Sequence, residues 1–171
     1  MKLWEKGISV DKEVEAFTVG NDYLLDQRLV EFDCIASIAH AKMLAKIHVL
    51  TKKEVDELEK GLQEIIELNK NGKFQISKED EDCHTAIENH LTNKYGEVGK
   101  KIHTARSRND QVLTALRLYE KHELEETKKL VVQMQNSLQI AIDKQGKVKM
   151  PGYTHMQRAM PTTVETWLSS F

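Results

Sequence analysis

The sequence predicts an all-α fold, and three observations carry that reading. Glycine and proline are scarce, at 8 and 2 of 171 residues. Apolar residues recur at spacings of three and four over long stretches. No run alternates polar and apolar residues as a half-buried strand would.

Composition narrows the class further. The 25 Lys and Arg are interleaved with 27 Asp and Glu, and the net charge is −2. That balance argues against a nucleic-acid binder, which carries a basic excess. Cys34 and Cys83 lie far apart with no pairing pattern, as expected of a reduced cytoplasmic protein. The start of the chain lacks an apolar core of signal-peptide length, and no run approaches the length of a membrane span. Neither secretion nor membrane insertion is expected.

Residues 1–20 have no strong period and read as an arm with one short helix. A helix is expected from about Asp22 to His48, with Leu25, Leu29, Phe32, Ile35, Ala36, Ala39, Met43, Leu44 and Ile47 as its periodic apolar positions. Thr51 and Glu54 have capping-box spacing and open a second helix, which ends at Asn71 and Gly72. The two read as an antiparallel hairpin. An acidic loop follows over 73–81, then a short helix from Asp82 to about Tyr95 with Ala86, Ile87 and Leu91 on its buried side.

After the Gly96 to Gly99 turn, neither Gly nor Pro occurs until Gly146. Ser107 and Asp110 form a second capping box, and a helix over 107–144 would be about 55 Å long at 1.5 Å per residue. Such a rod suits a bundle of long helices, most of which lies outside this chain. Its apolar stripe is expected to be left uncovered. Pro151 and Gly152 make a turn, 153–160 reads as a polar loop, and Thr162 with Glu165 caps a last helix. The chain is expected to be the N-terminal piece of a longer protein.

Three polar clusters interrupt this pattern. In the first, His84 and Glu88 share a helix face at i, i+4. They form either a histidine oriented by a carboxylate or a surface ion pair, the commoner case. A metal site from Cys83, His84, His90 and His103 is weaker, because no C-x-x-C or H-x-x-x-H pair occurs. The second cluster is Arg106, Ser107, Arg108, Asn109 and Asp110. It reads either as a helix cap whose arginines satisfy nearby acids, or as an anion site where backbone N–H groups and guanidiniums converge. The third sets Thr154 beside His155 in a loop, with Gln157 and Arg158 behind. Histidine exchanges protons near neutral pH, although a loop histidine bonded to backbone is equally common.

Three runs of residues are specific together. They are Glu81-Asp82-x-His84; Gly99 to Gln111 with its Arg106-Ser107-Arg108-Asn109-Asp110-Gln111 core; and Pro151 to Pro161 with Thr154-His155-Met156-Gln157-Arg158-Ala159. On these the chain resembles the argininosuccinate lyase branch of the fumarase/aspartase superfamily over essentially its whole length. The resemblance implies residues 1–105 as an N-terminal helical domain and 106–171 as the start of a helical bundle. It implies β-elimination of argininosuccinate to arginine and fumarate, with no metal and no cofactor, in a cytoplasmic homotetramer.

It also implies roles. His155 would be the acid–base histidine, paired with a serine on a downstream loop that this chain lacks; which of the two takes the proton stays open. Ser107, Arg108, Asn109 and Thr154 would bind substrate carboxylates, and His84 would support them. Asp22 stands where family members often have a serine touching substrate. A catalytically silent bundle serving as a structural or interaction protein is the alternative from another class.

Overall fold

The computed structural model describes residues 11–171. The expected arm lies outside the described residues as far as residue 10; beyond it, Lys12–Val19 forms α1. Among the described residues the fold is helical, as the periodicity requires, with one small two-stranded sheet. Two compact units make it up, one through Glu120 and one from Lys121 onward.

In the first unit the helix expected over 22–48 is divided. Asp22–Leu25 is α2, a 3-10 turn covers Asp26–Arg28, and Val30–Lys46 is α3. Lys52–Lys70 is α4, and its capping box is complete: Glu54 N donates to Thr51 Oγ1 at 3.3 Å while Thr51 N donates back to Glu54 Oε2 at 2.8 Å. Both helices end in Schellman turns. His48 and Gly72 take the left-handed position, and Val49 N and Lys73 N reach back to Leu44 O and Leu68 O. Ion pairs Lys42 to Glu59 and Lys70 to Glu31 cross the α3–α4 hairpin in antiparallel order.

The core lies between α3, α4 and α5 (Cys83–Tyr95), with Leu44, Leu58, Leu62, Ile65, Ile87 and Leu91 fully buried. The face that α3 turns inward corrects the sequence expectation. Leu44 is buried as its spacing predicts, together with Val30, Asp33, Cys34, Ser37 and Ala41, whereas the periodic apolar residues Ile35, Met43 and Ile47 are exposed. The helix is rotated so that a carboxylate and a hydroxyl point into the core, and only a polar network can make that tolerable.

Helix α6 (Glu97–Lys100) and a 3-10 turn (Lys101–His103) replace the simple turn expected at Gly96 to Gly99. Gly99 lies against α5 so closely that a Cβ would sit 2.4 Å from the Leu91 carbonyl carbon and oxygen. Backbone cannot yield as a side-chain tip can. Gly99→Ala is therefore expected to lower stability by about 1–3 kcal/mol; an unchanged denaturation midpoint would contradict this packing.

Helix α7 spans Arg108–Gln145. Ser107 caps it, with Asp110 N donating to Ser107 Oγ at 3.3 Å and Ser107 N to Asp110 Oδ2 at 2.9 Å. Gln111 and Ala115 are its buried residues, and Tyr119 meets Phe32 edge to face. Of the stripe expected along it, Leu130 and Met134 are at least half exposed, whereas Val112, Leu116, Tyr119 and Leu138 are half-buried.

The second unit departs from the polar loop expected over 153–160. Lys149–Thr154 (β1) and Gln157–Thr163 (β2) pair antiparallel into a hairpin. Its prolines are cross-strand partners, which a two-stranded ribbon tolerates because both strands are edges. The register shifts between Pro151 and Tyr153, where Ala159 and Met160 of β2 stand opposite the single Gly152 of β1, and a Cβ on Gly152 would meet Met160 O at 2.5 Å. The last helix, α8 (Val164–Leu168), is capped one residue later than expected: Thr163 Oγ1 accepts from Thr166 N at 3.2 Å. Among the described residues no helix is long and apolar enough to cross a membrane.

Candidate active site

Asp33 is the centre of the polar network inside the first unit. It is fully buried, and so is His84 at 1% exposure. His84 Nδ1 lies 2.9 Å from Asp33 Oδ2. Gln111 Nε2 donates to both carboxylate oxygens, at 3.1 and 2.9 Å, and Ser37 Oγ donates to Oδ1 at 3.2 Å. A buried carboxylate is tolerated only with such a complement of donors. The partner orienting His84 is thus Asp33, from another helix. Glu88, the carboxylate suggested by i, i+4 spacing, turns elsewhere.

Glu88 instead receives Arg108 Nη1 at 2.9 Å, and His103 Nδ1 stands 3.2 Å from the same oxygen, at ion-pair distance. The same Arg108 nitrogen donates to Gln111 Oε1 at 3.0 Å. Arg106 gives its Nη1 to Ser37 Oγ at 3.0 Å, while its Nε and Nη2 are buried without a partner among the described residues. Burial lowers the Arg106 pKa, opposed by the nearby Asp33 and Glu88 charges. His40 Nε2 meets Thr104 O at 2.9 Å, and burial lowers its pKa too.

The residues singled out in the sequence distribute as follows. Arg108 sits at the first turn of α7, tied to α5 through Glu88 and to Asp33 and His84 through Gln111. Ser107 and Asn109 flank it and are exposed, Ser107 as the helix cap. Asp82 caps α5, its Oδ1 accepting from Thr85 N at 2.6 Å, which fixes the chain entering His84. Asp22 is exposed at the start of α2, close enough for its charge to help raise the Asp26 carboxyl, an effect led by burial.

Thr154 and His155 lie in the second unit, at the tip of the hairpin, and both are exposed. Thr154 pairs with Gln157, so His155 and Met156 are the two loop residues, with φ of 48° and 63°. Two successive left-handed residues make the turn that matches strand twist, normally filled by Asn and Gly. Holding it with histidine and methionine costs energy and puts an imidazole at the point farthest from the strands' own packing.

The metal donors weighed in the sequence do not gather. His90 stands beside Glu64 and His103 beside Glu88. Asp26, Cys83 and His84 do bring donor atoms within 4.8 Å of one another. Two of the donor atoms these residues carry are already engaged, Asp26 Oδ2 by Cys83 N at 3.2 Å and His84 Nδ1 by Asp33 at 2.9 Å. Burial, reinforced by the charges of Asp33 and Asp26, pushes the Cys83 thiol far above its ordinary range. A thiol held protonated beside a committed imidazole is a poor ligand set. Cys34 is likewise raised, first by burial and then by Asp33. Both cysteines are therefore expected to resist a thiol reagent at pH 8 until denaturant is added. Rapid labelling of the folded chain would contradict their burial.

Asp33 and Gln111 escaped the sequence reading. A carboxylate set among Val30, Phe32, Cys34 and Ile35 was the available signal, since a charge within an apolar helix needs a partner. Gln111 stood inside the most specific run, at i+3 from Arg108.

The profile of the lyase family matches residues 5–171. A curated protein of Thermotoga neapolitana named argininosuccinate lyase is 58% identical over 166 residues, covering 97% of this chain and 42% of the relative. Proteins of the same name from Sorangium cellulosum and Bacteroides thetaiotaomicron are each 42% identical, covering 100% and 99% of this chain and 40% and 38% of their own lengths. The chain thus spans about two fifths of the curated relatives it matches.

Proposed function

The chain belongs to the lyase family, and from that premise we propose that it is the N-terminal part of an argininosuccinate lyase, cleaving argininosuccinate to arginine and fumarate. Residues 1–105 form its N-terminal helical domain and 106–171 begin its helical bundle. The whole enzyme is a cytoplasmic homotetramer. The observation that carries the reading is the first turn of α7. There a guanidinium anchored at one nitrogen, a cap hydroxyl and an exposed amide stand where backbone N–H groups point outward.

The chemistry needs such a place. In β-elimination a base removes a proton from the succinyl carbon next to a carboxylate, whose oxygens take up the developing charge. The electron pair then forms the fumarate double bond. The bond to the guanidino nitrogen breaks, and that nitrogen leaves with the electrons and a proton. A dianionic carboxylate must meet donors already in position. Ser107, Arg108, Asn109 and the Thr154 hydroxyl supply them, with Asp22 as a further substrate contact.

Both described bonds of Arg108 use Nη1, so its other N–H groups remain for a carboxylate. His155 exchanges the proton, together with a serine from a downstream loop of the longer protein. His84, locked to Asp33, supports the wall on which Arg108 stands. Residues 1–171 alone are expected to show little turnover, because that serine is missing.

The test is selectivity among succinyl adducts. The full-length protein, offered argininosuccinate and a purine-linked succinyl adduct separately, is expected to release fumarate from the first alone. Release from the second alone would move the reading to another lyase of the family.

A further inference from the structure

The geometry points to Gln111 as a positioning residue of the reaction: its buried amide couples the Asp33–His84 pair to Arg108 and so fixes the guanidinium that binds substrate. The inference rests on the lyase reading above and adds to it a residue that touches no substrate.

Gln111 is 2% exposed on the buried face of α7. Its Nε2 spans both Asp33 oxygens, and its Oε1 accepts from Arg108 Nη1. The carboxylate can only accept, so the amide must present its NH2 to Asp33 and its oxygen to Arg108; no flipped placement serves both. The amide therefore has a single placement that joins the buried pair to the guanidinium. Glu88 holds the same Arg108 nitrogen from α5. Two acceptors on different helices then define where Nη1 lies, and the remaining N–H groups follow because the guanidinium is planar. Without Gln111 a single acceptor would remain among the described residues, and the side chain could swing about it.

Gln111→Met keeps length and apolar volume and removes both polar atoms. In the full-length protein it is expected to raise KM for argininosuccinate about tenfold or more and to lower kcat as well, since the guanidinium it positions both binds the substrate carboxylate and meets the charge that develops on it. In an Arg108→Lys background the same substitution is expected to have almost no further effect on KM, because the group it positions is gone. A merely structural role would lower the amount of folded enzyme and leave KM alone in both backgrounds. If the methionine variant does not fold, Gln111→Asn, which keeps an amide one methylene short, is read for the same rise in KM. Unchanged KM in an active enzyme, or full additivity with Arg108→Lys, overturns the positioning role alone. A wild-type enzyme that releases no fumarate overturns the lyase reading, and this inference with it.

Discussion

Replacing His155 by asparagine in the full-length protein is expected to cut kcat for fumarate release by about 10²–10⁴-fold, the usual contribution of a positioned acid–base group. KM should change little, because the substrate carboxylates are assigned to Ser107, Arg108, Asn109 and Thr154. Asparagine is the informative replacement for a structural reason. His155 holds a left-handed backbone with φ of 48°, and asparagine adopts that conformation more readily than most residues. The hairpin tip should therefore keep its shape while losing only the imidazole. As an exposed residue, His155 should also leave stability within about 0.5 kcal/mol of the parent. An asparagine variant with near-normal kcat would remove His155 from the chemistry.

The largest stability effect is expected at Asp33. Asp33→Ala removes the acceptor for His84, Ser37 and Gln111 at once, leaving an imidazole, a hydroxyl and an amide buried without their partner. Breaking a buried pair in this way costs about 3–5 kcal/mol. That is a large share of the roughly 5–15 kcal/mol that holds a domain folded. Chemical denaturation of the chain reads the loss directly. Asp33→Asn keeps the shape and an acceptor oxygen, so its cost should be smaller. A loss below about 1 kcal/mol for the alanine variant would show that the network is not holding α3, α5 and α7 together.

Local signals were readable from the sequence and tertiary ones were not. The capping boxes at Thr51 and Ser107 act within four residues, so spacing alone located the starts of α4 and α7. The core side of α4 was equally plain, since Val55, Leu58, Leu62 and Ile65 have no polar rival for the same stripe. In α3 a rival existed. Periodicity favoured Ile35, Met43 and Ile47, yet Asp33 and Ser37 turn inward, because partners on α5 and α7 reward burying them. Spacing likewise matched Glu88 to His84, although the two belong to opposite ends of one network joined through Arg108, Gln111 and Asp33.

The hairpin at 149–163 was hidden for another reason. Its strands contain two prolines and a glycine and do not alternate, and its turn lacks the usual Asn-Gly. Only the pairing itself reveals it. The candidate site was legible as three clusters through the resemblance they carry together. The residues that hold Arg108 in place were not, because buried polar partners leave no periodic mark.

The decisive measurement takes fumarate and arginine together, from argininosuccinate and the full-length protein. Both products are expected in equal amounts, with fumarate formation lost in the His155→Asn variant. Absence of both products from a folded wild-type protein, or release that survives the substitution, would contradict it.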